Sequence, residues 1–175
     1  MIKQLKLSQL LFFGGLVCFL IVSFLLWQRY APPKFLQTYS DGKDFQPAFA
    51  AIKELNLKLA VYPAVLENGQ WKTNTKGISY LTSSAIPGEK GNSIFYSHNW
   101  PNLLGTLVKV QNGQIIEIEG FNGEIKYFVV TETTVLSPDQ TYVLGPSDDT
   151  RLTIYTCYGF LDQNRFVVTA KPLKI

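Results

Sequence analysis

In the segment LTIYTCYGFLDQNRFVV, residues 152–168, a thiol (Cys157) closes one strand-like run and a guanidinium (Arg165) opens the next. An ionised cysteine is the nucleophile of covalent acyl transfer. A neighbouring guanidinium can favour the thiolate and can also donate forked hydrogen bonds to an oxyanion. The chain has a single histidine, His98, in GNSIFYSHNWPNLLG, and an imidazole near a thiol exchanges protons with it or with a departing amine. Each residue also has a plainer reading: a buried structural thiol, a strand-end surface charge, a structural or merely exposed imidazole. The second cysteine, Cys18, lies in an apolar N-terminal run, so Cys157 has no intrachain partner in the rest of the chain. In an exported domain a leftover cysteine points to a reactive thiol or an intermolecular bond.

These groups meet only if the elements carrying them are neighbours. If 152–156 and 165–170 pair as antiparallel strands, the loop 158–164 joins them and Cys157 and Arg165 stand side by side at its mouth. NLKLAVYP alternates, and NSIFYS is a short apolar run that delivers His98 to a strand-to-loop junction. Asn112-Gly113 and Asn122-Gly123, set between alternating runs, are hairpin signals because both central residues must adopt positive φ. They predict a consecutive antiparallel meander. With the two final runs the count reaches seven or eight strands, which predicts a closed barrel rather than an open sheet. Phe45, Phe49, Ile52 and Leu55 recur at near-helical spacing in FQPAFAAIKEL and predict one short amphipathic helix.

Residues 10–27 read LLFFGGLVCFLIVSFLLW, with no charge between Lys6 and Arg29. A bilayer core takes about 20 apolar residues as a helix, so this run predicts a transmembrane anchor. RYAPPKF offers no small-residue cleavage site, against a removed signal peptide. Lys3 and Lys6 favour a cytoplasmic N-terminus and an outward domain. The organisation is then a cytoplasmic end (1–9), an anchor (10–27), a polar stalk (28–44) and one extracytoplasmic domain (45–175). A net charge of +3, part of it at the membrane flanks, excludes the basic field of a nucleic-acid binder. No acidic cluster has calcium-ligand spacing, and Asp148-Asp149 reads as a solvated turn.

The chain resembles the sortases, membrane-anchored cysteine transpeptidases of bacterial cell surfaces, over roughly residues 55–173. TIYTC, ending at Cys157, is similar to the family's TLxTC signature with Ile154 in place of Leu. RFVVTAKPL resembles its arginine strand, and IPGEKGNSIFYSHNW its Pro-Gly-x-x-Gly-Asn block leading to the catalytic histidine, with Ser97 where many members have Gly. The resemblance implies an all-β, sortase-like closed barrel of about eight strands with short helices, behind one N-terminal transmembrane helix. It implies Cys157 as nucleophile, His98 as general acid and base, Arg165 as oxyanion or substrate stabiliser, and no metal or other cofactor. Its implied partners are proteins bearing a C-terminal sorting signal of LPxTG type and an amine acceptor, from a peptidoglycan precursor or a pilin lysine. The loop region 133–150 would shape specificity. The other readings are a β-barrel adhesion or scaffold domain without activity, and a cysteine peptidase that only hydrolyses.

Overall fold

A computed structural model describes residues 7–30, 45–67, 70–71 and 74–173. Most of the expected stalk and the first six residues lie outside them. Contacts divide the chain into two units, Met1–Ala31 and Pro32–Ile175.

The first unit holds one helix, α1 (Leu7–Tyr30). Its side chains are described over 11–27 and are almost all exposed, Phe12, Leu20 and Leu25 among them. That described stretch is shorter than the roughly 20 residues of a span, and among the described residues no helix is long and apolar enough to cross a membrane.

The second unit is a barrel. Its strands are β1 (Pro47–Ile52), β2 (Leu57–Ala64), β3 (Leu66–Glu67), β4 (Gln70–Trp71), β5 (Ile78–Leu81), β6 (Gly91–Tyr96), β7 (Ile115–Gly120), β8 (Ile125–Leu136), β9 (Thr150–Tyr158) and β10 (Asn164–Pro172). Eight of them close in the order β1-β2-β5-β6-β9-β10-β8-β7, while β3 and β4 pair only with each other. The β2/β5 and β6/β9 pairs are parallel and the others antiparallel. The fold is therefore not a simple meander.

Alternation along each strand decides what fills the barrel. Phe95 of β6, Ile116 and Ile118 of β7, Phe128 and Val130 of β8, Leu152 and Ile154 of β9 and Val168 of β10 form one continuous buried core. Burying such a side chain contributes about 1.5–3 kcal/mol each. The intervening residues of β6, β9 and β10 face outward, and a second cluster forms there from Leu81, Ile94, Leu136, Tyr155 and Val167.

Two further sequence expectations fail. Residues 47–52 form strand β1 rather than a helix, followed only by a 3-10 turn, Lys53–Leu55. Ala48, Ala50 and Ile52 are buried with a period of two, a signal masked by alanine, which is small and favours helices. The Asn112-Gly113 turn does not join two strands, because a 3-10 helix, Leu104–Lys109, precedes it. Its buried residues are Leu104 and Leu107, three apart, the repeat of a 3-10 turn. The Asn122-Gly123 turn does join antiparallel β7 and β8, with Gly123 at φ 80°.

Between β8 and β9 the chain crosses over β10 from its start to its far end as a thirteen-residue segment, 137–149, containing the 3-10 turn Thr141–Leu144. Asn92, 4% exposed, holds this segment down. Its Nδ2 donates to the carbonyls of Val143 (2.9 Å) and Gly145 (3.1 Å), and its Oδ1 accepts from the Thr153 hydroxyl (2.7 Å). Asp149 is more than a solvated turn residue: the Ser147 hydroxyl and Lys171, 3.1 Å away, hold its carboxyl down at a pKa of about 2.

Candidate active site

Cys157 and Arg165 are directly opposed residues of β9 and β10. Both lie on the outer face of the barrel, because Leu152 and Ile154, and Phe166 and Val168, take the inner positions. Directly opposed side chains start from Cβ atoms about 4.5–5.5 Å apart, so the sequence expectation of side-by-side placement holds. Cys157 is 8% exposed. Arg165 Nη1 donates to the carbonyls of Asp162 and Asn164, both at 2.9 Å. Among the described residues its Nε and Nη2 hold no hydrogen-bond partner, and the guanidinium lines an adjoining cavity.

His98 arrives on the neighbouring strand. Tyr96, at the end of β6, pairs with Tyr155 of β9, and the chain then leaves the sheet through Ser97. That serine is fully buried and bonded on three sides. Its N–H donates to the Tyr155 carbonyl (3.4 Å), its carbonyl accepts from the Thr156 hydroxyl (2.8 Å), and its own hydroxyl donates to the Gly77 carbonyl (2.8 Å). Gly77 admits no side chain there, since a Cβ would collide with the Ala60 carbonyl oxygen. Ser97 itself has no positive φ, so the turn does not require a glycine there. His98 follows with its ring stacked on Trp100 (4.6 Å between centroids, 12° between planes) and its carbonyl accepting from Leu104 N–H (3.1 Å).

Tyr96 stands between the histidine and the thiol. Its hydroxyl lies 3.5 Å from Cys157 Sγ, and its ring is 6.1 Å from that of His98 and 4.7 Å from that of Tyr155. Burial, and then the hydrogen bond to Cys157, push its ionisation far above that of an ordinary tyrosine. Burial does the same to Tyr155, partly opposed by Arg165. The loop after β9 closes the assembly: Asn99 Nδ2 donates to Asp162 Oδ1 (3.2 Å), tying the histidine loop to the residues whose carbonyls hold Arg165. Leu161 and Asp162 both adopt left-handed backbone, φ 52° and 59°, a conformation costly for side chains other than Gly, Asn or Asp.

A cavity of about 180 Å³ opens beside this group, between segment 137–149 and the outer face. Leu136, Val143, Leu144, Tyr155 and Val167 give it an apolar wall, Ser137, Gln140 and Thr141 add polar groups, and Arg165 puts one charge at its edge. A larger hollow of about 250 Å³ lies on β1, β2 and β7, across the barrel from β9. Its charges neutralise each other, Lys53 with Glu117 at 2.6 Å and Lys58 with Glu119 at 2.9 Å, and it holds no nucleophile. Among the described residues no three His, Cys, Asp or Glu side chains gather as metal ligands.

The sortase domain family matches residues 51–173 of this chain. The chain belongs to the sortase family. Solved sortases share the barrel. Sortase A from Corynebacterium diphtheriae is 22% identical with a TM-score of 0.64, over 77% of this chain and 64% of that one. The Sortase D5 transpeptidase of Clostridium perfringens is 25% identical with a TM-score of 0.63, over 73% and 79%. Sortase C-1 from Actinomyces oris is 17% identical with a TM-score of 0.62, over 77% of each chain. The chain thus spans less than two thirds of the length of the Corynebacterium sortase. No curated protein matches it. Sortases named A, C and D resemble it almost equally, so what they share with it is the barrel and not a class.

The residues that sequence reasoning missed are Tyr96 and Trp100, and of Ser97 and Asn92, which lie in the block leading to His98, it missed the contacts. For Tyr96 a signal was present: it lies two residues before His98 at the end of one strand, and strand periodicity sets Tyr96 and Ile94 on the face opposite Phe95.

Proposed function

We infer that this sortase-family chain is a cysteine transpeptidase that cuts a C-terminal sorting signal of LPxTG type and joins the protein to a surface amine. The observation that carries the reading is the direct cross-strand pairing of Cys157 with Arg165, beside a cavity with an apolar wall and one strand away from His98.

In this reading the Cys157 thiolate attacks the carbonyl carbon of the signal's threonine. The carbonyl becomes an oxyanion, which Arg165 receives through the N–H groups its loop carbonyls leave unused. The C–N bond then breaks, the His98 imidazolium gives its proton to the departing amine, and a thioester remains on Cys157. An acceptor amine attacks that thioester and loses a proton to His98. The sulfur leaves as thiolate and a new amide is formed. The cavity under 137–149 accepts the apolar residues of the signal that precede the threonine. The acceptor is an amine of a peptidoglycan precursor or a pilin lysine. No step needs a metal.

The test uses the full chain in detergent with a sorting-signal peptide, with and without a primary amine. Added amine is expected to shift the product from acid to amide and to raise total turnover, since a thioester partitions toward the stronger nucleophile. Mass spectrometry reads both. Cleavage indifferent to every amine would make the chain a hydrolytic peptidase. Absence of any cleavage or covalent adduct would leave a scaffold or adhesion domain.

The anchor is part of the same proposal. A 24-residue helix rises about 36 Å at 1.5 Å per residue, against a hydrocarbon core of about 30 Å. The run between Lys6 and Arg29 carries no charge. The chain is then a single-pass protein of the cell membrane, N-terminus inside and barrel outside, where it meets newly exported substrates. A membrane-impermeant amine reagent applied to intact cells without an outer barrier is expected to label exposed Lys76, Lys90 and Lys109 and to spare Lys3 and Lys6. The reverse pattern would put the barrel in the cytoplasm and end the proposal.

A further inference from the structure

We propose that Tyr96 is a further catalytic residue, a neutral hydrogen-bond donor to the Cys157 sulfur that stabilises the thiolate before attack and again when sulfur is expelled. The role in transfer rests on the transpeptidase reading above, but the contact itself does not. Tyr96 Oη is 3.5 Å from Sγ and is the sulfur's hydrogen-bond partner among the described residues. The ring cannot swing away freely, because Tyr155 lies against it at 4.7 Å and His98 meets its edge.

Either group can donate while sulfur is a thiol. Once sulfur is ionised it has no proton, and Tyr96 must be the donor. Burial and the thiol's proximity keep the phenol protonated, so the donor persists wherever the thiolate exists.

The bond acts in opposite senses at the two steps. Before acylation it raises the thiolate fraction and also takes some nucleophilicity from the sulfur. Thiolate reactivity falls by about half, on a logarithmic scale, of what ionisation gains, so part of the benefit survives at neutral pH. As sulfur attacks, its charge moves to the carbonyl oxygen, which Arg165 receives, and Tyr96 has less to hold. When the acceptor amine displaces sulfur, charge returns to it. The phenol then stabilises the leaving group, without itself giving up its proton. Tyr96 therefore favours release of the thioester, the step that makes the product.

The experiment measures iodoacetamide alkylation of Cys157 from pH 5 to 10 in the full chain and in Tyr96→Phe. Peptide mapping assigns the label to Cys157 rather than Cys18, and melting temperatures are recorded alongside. If the phenol favours ionisation tenfold, the variant is expected to react about threefold slower than wild type at neutral pH and about threefold faster on the alkaline plateau. The two profiles then cross. Loss of packing alone would not produce a crossing. With sorting-signal peptide and amine, intact mass is expected to show more thioacyl enzyme in the variant. Superimposable alkylation profiles at equal melting temperature would overturn the assignment. If Tyr96→Phe does not fold, a ring-fluorinated tyrosine at position 96 replaces it. That stronger donor is expected to move the crossing the other way, and an unchanged profile would again overturn the proposal. A chain that shows the crossing yet cleaves no peptide would remove the transpeptidase reading and leave Tyr96 as the thiolate's partner.

Discussion

Cys157→Ala is expected to abolish peptide transfer and every covalent adduct while leaving a folded barrel. The fold survives because β9 is held by its inner face, where Leu152 and Ile154 are buried in the core, and by ladders to β6 and β10 on both sides. The substitution removes one sulfur from the outer face, and Tyr96 loses its partner. Small changes of this kind destabilise by about 1 kcal/mol. Activity responds on another scale, since no other group in the site can form the thioester. Loss of a nucleophile that works as a unit with its base lowers turnover by about 10⁴-fold or more. The measurement is kcat/KM on a sorting-signal peptide with circular dichroism as the folding control. Turnover in a folded alanine variant would sink the mechanism, because hydrolysis would then have to come from elsewhere.

Arg165→Lys is expected to lose most activity although it keeps the charge. The guanidinium is a planar fork. One arm, Nη1, is spent on the carbonyls of Asp162 and Asn164, which fixes the plane and leaves the remaining N–H groups for another acceptor at the edge of the cavity. An ammonium is a compact, strongly hydrated point charge and cannot satisfy two loop carbonyls while aiming further donors at an oxyanion. Removing one oxyanion donor lowers the rate by about 10²–10³, or roughly 2.7–4 kcal/mol. A surface charge is worth about 0.5 kcal/mol or less, so the two explanations differ by a margin any assay resolves. Near wild-type kcat/KM in Arg165→Lys would mean that only the field matters. Near wild-type kcat/KM in Arg165→Ala would return the residue to the status of an ordinary strand-end charge.

The juxtaposition of Cys157 and Arg165 was legible in the chain because it is local. Two alternating runs joined by a short loop have few ways to pair, and the observed register sets the two residues opposite each other. The position of His98 at a strand end was legible for the same reason. What stayed hidden depends on distant contacts. The parallel pairing of β6 with β9 brings Tyr96 and Ser97 to the thiol, and no periodicity announces which strands will be parallel neighbours. Asn92 reads as an ordinary polar residue in a strand until its bonds to Val143 and Gly145 are seen. The alanines of β1 disguised a strand as a helix, and the run from Thr106 to Lys109, read as part of a strand, belongs with Leu104 to a 3-10 turn that buries every third residue. In each case local propensity was overruled by partners that only the closed barrel supplies.

The place of β10 in the barrel bears on when the protein can act. Among the described residues it is the last strand in chain order, yet it lies between β8 and β9 and pairs with both. Until residues 164–172 have been synthesised, the sheet stays open, β8 and β9 are bare edges, and Cys157 has no arginine across from it. Such edges recruit other strands, and a topology that closes through distant pairings folds slowly. A growing or truncated chain that lacks β10 therefore carries Cys157 without the cross-strand arginine. The pairing that sets a guanidinium opposite the thiol is thus among the last that the barrel can make as the chain emerges.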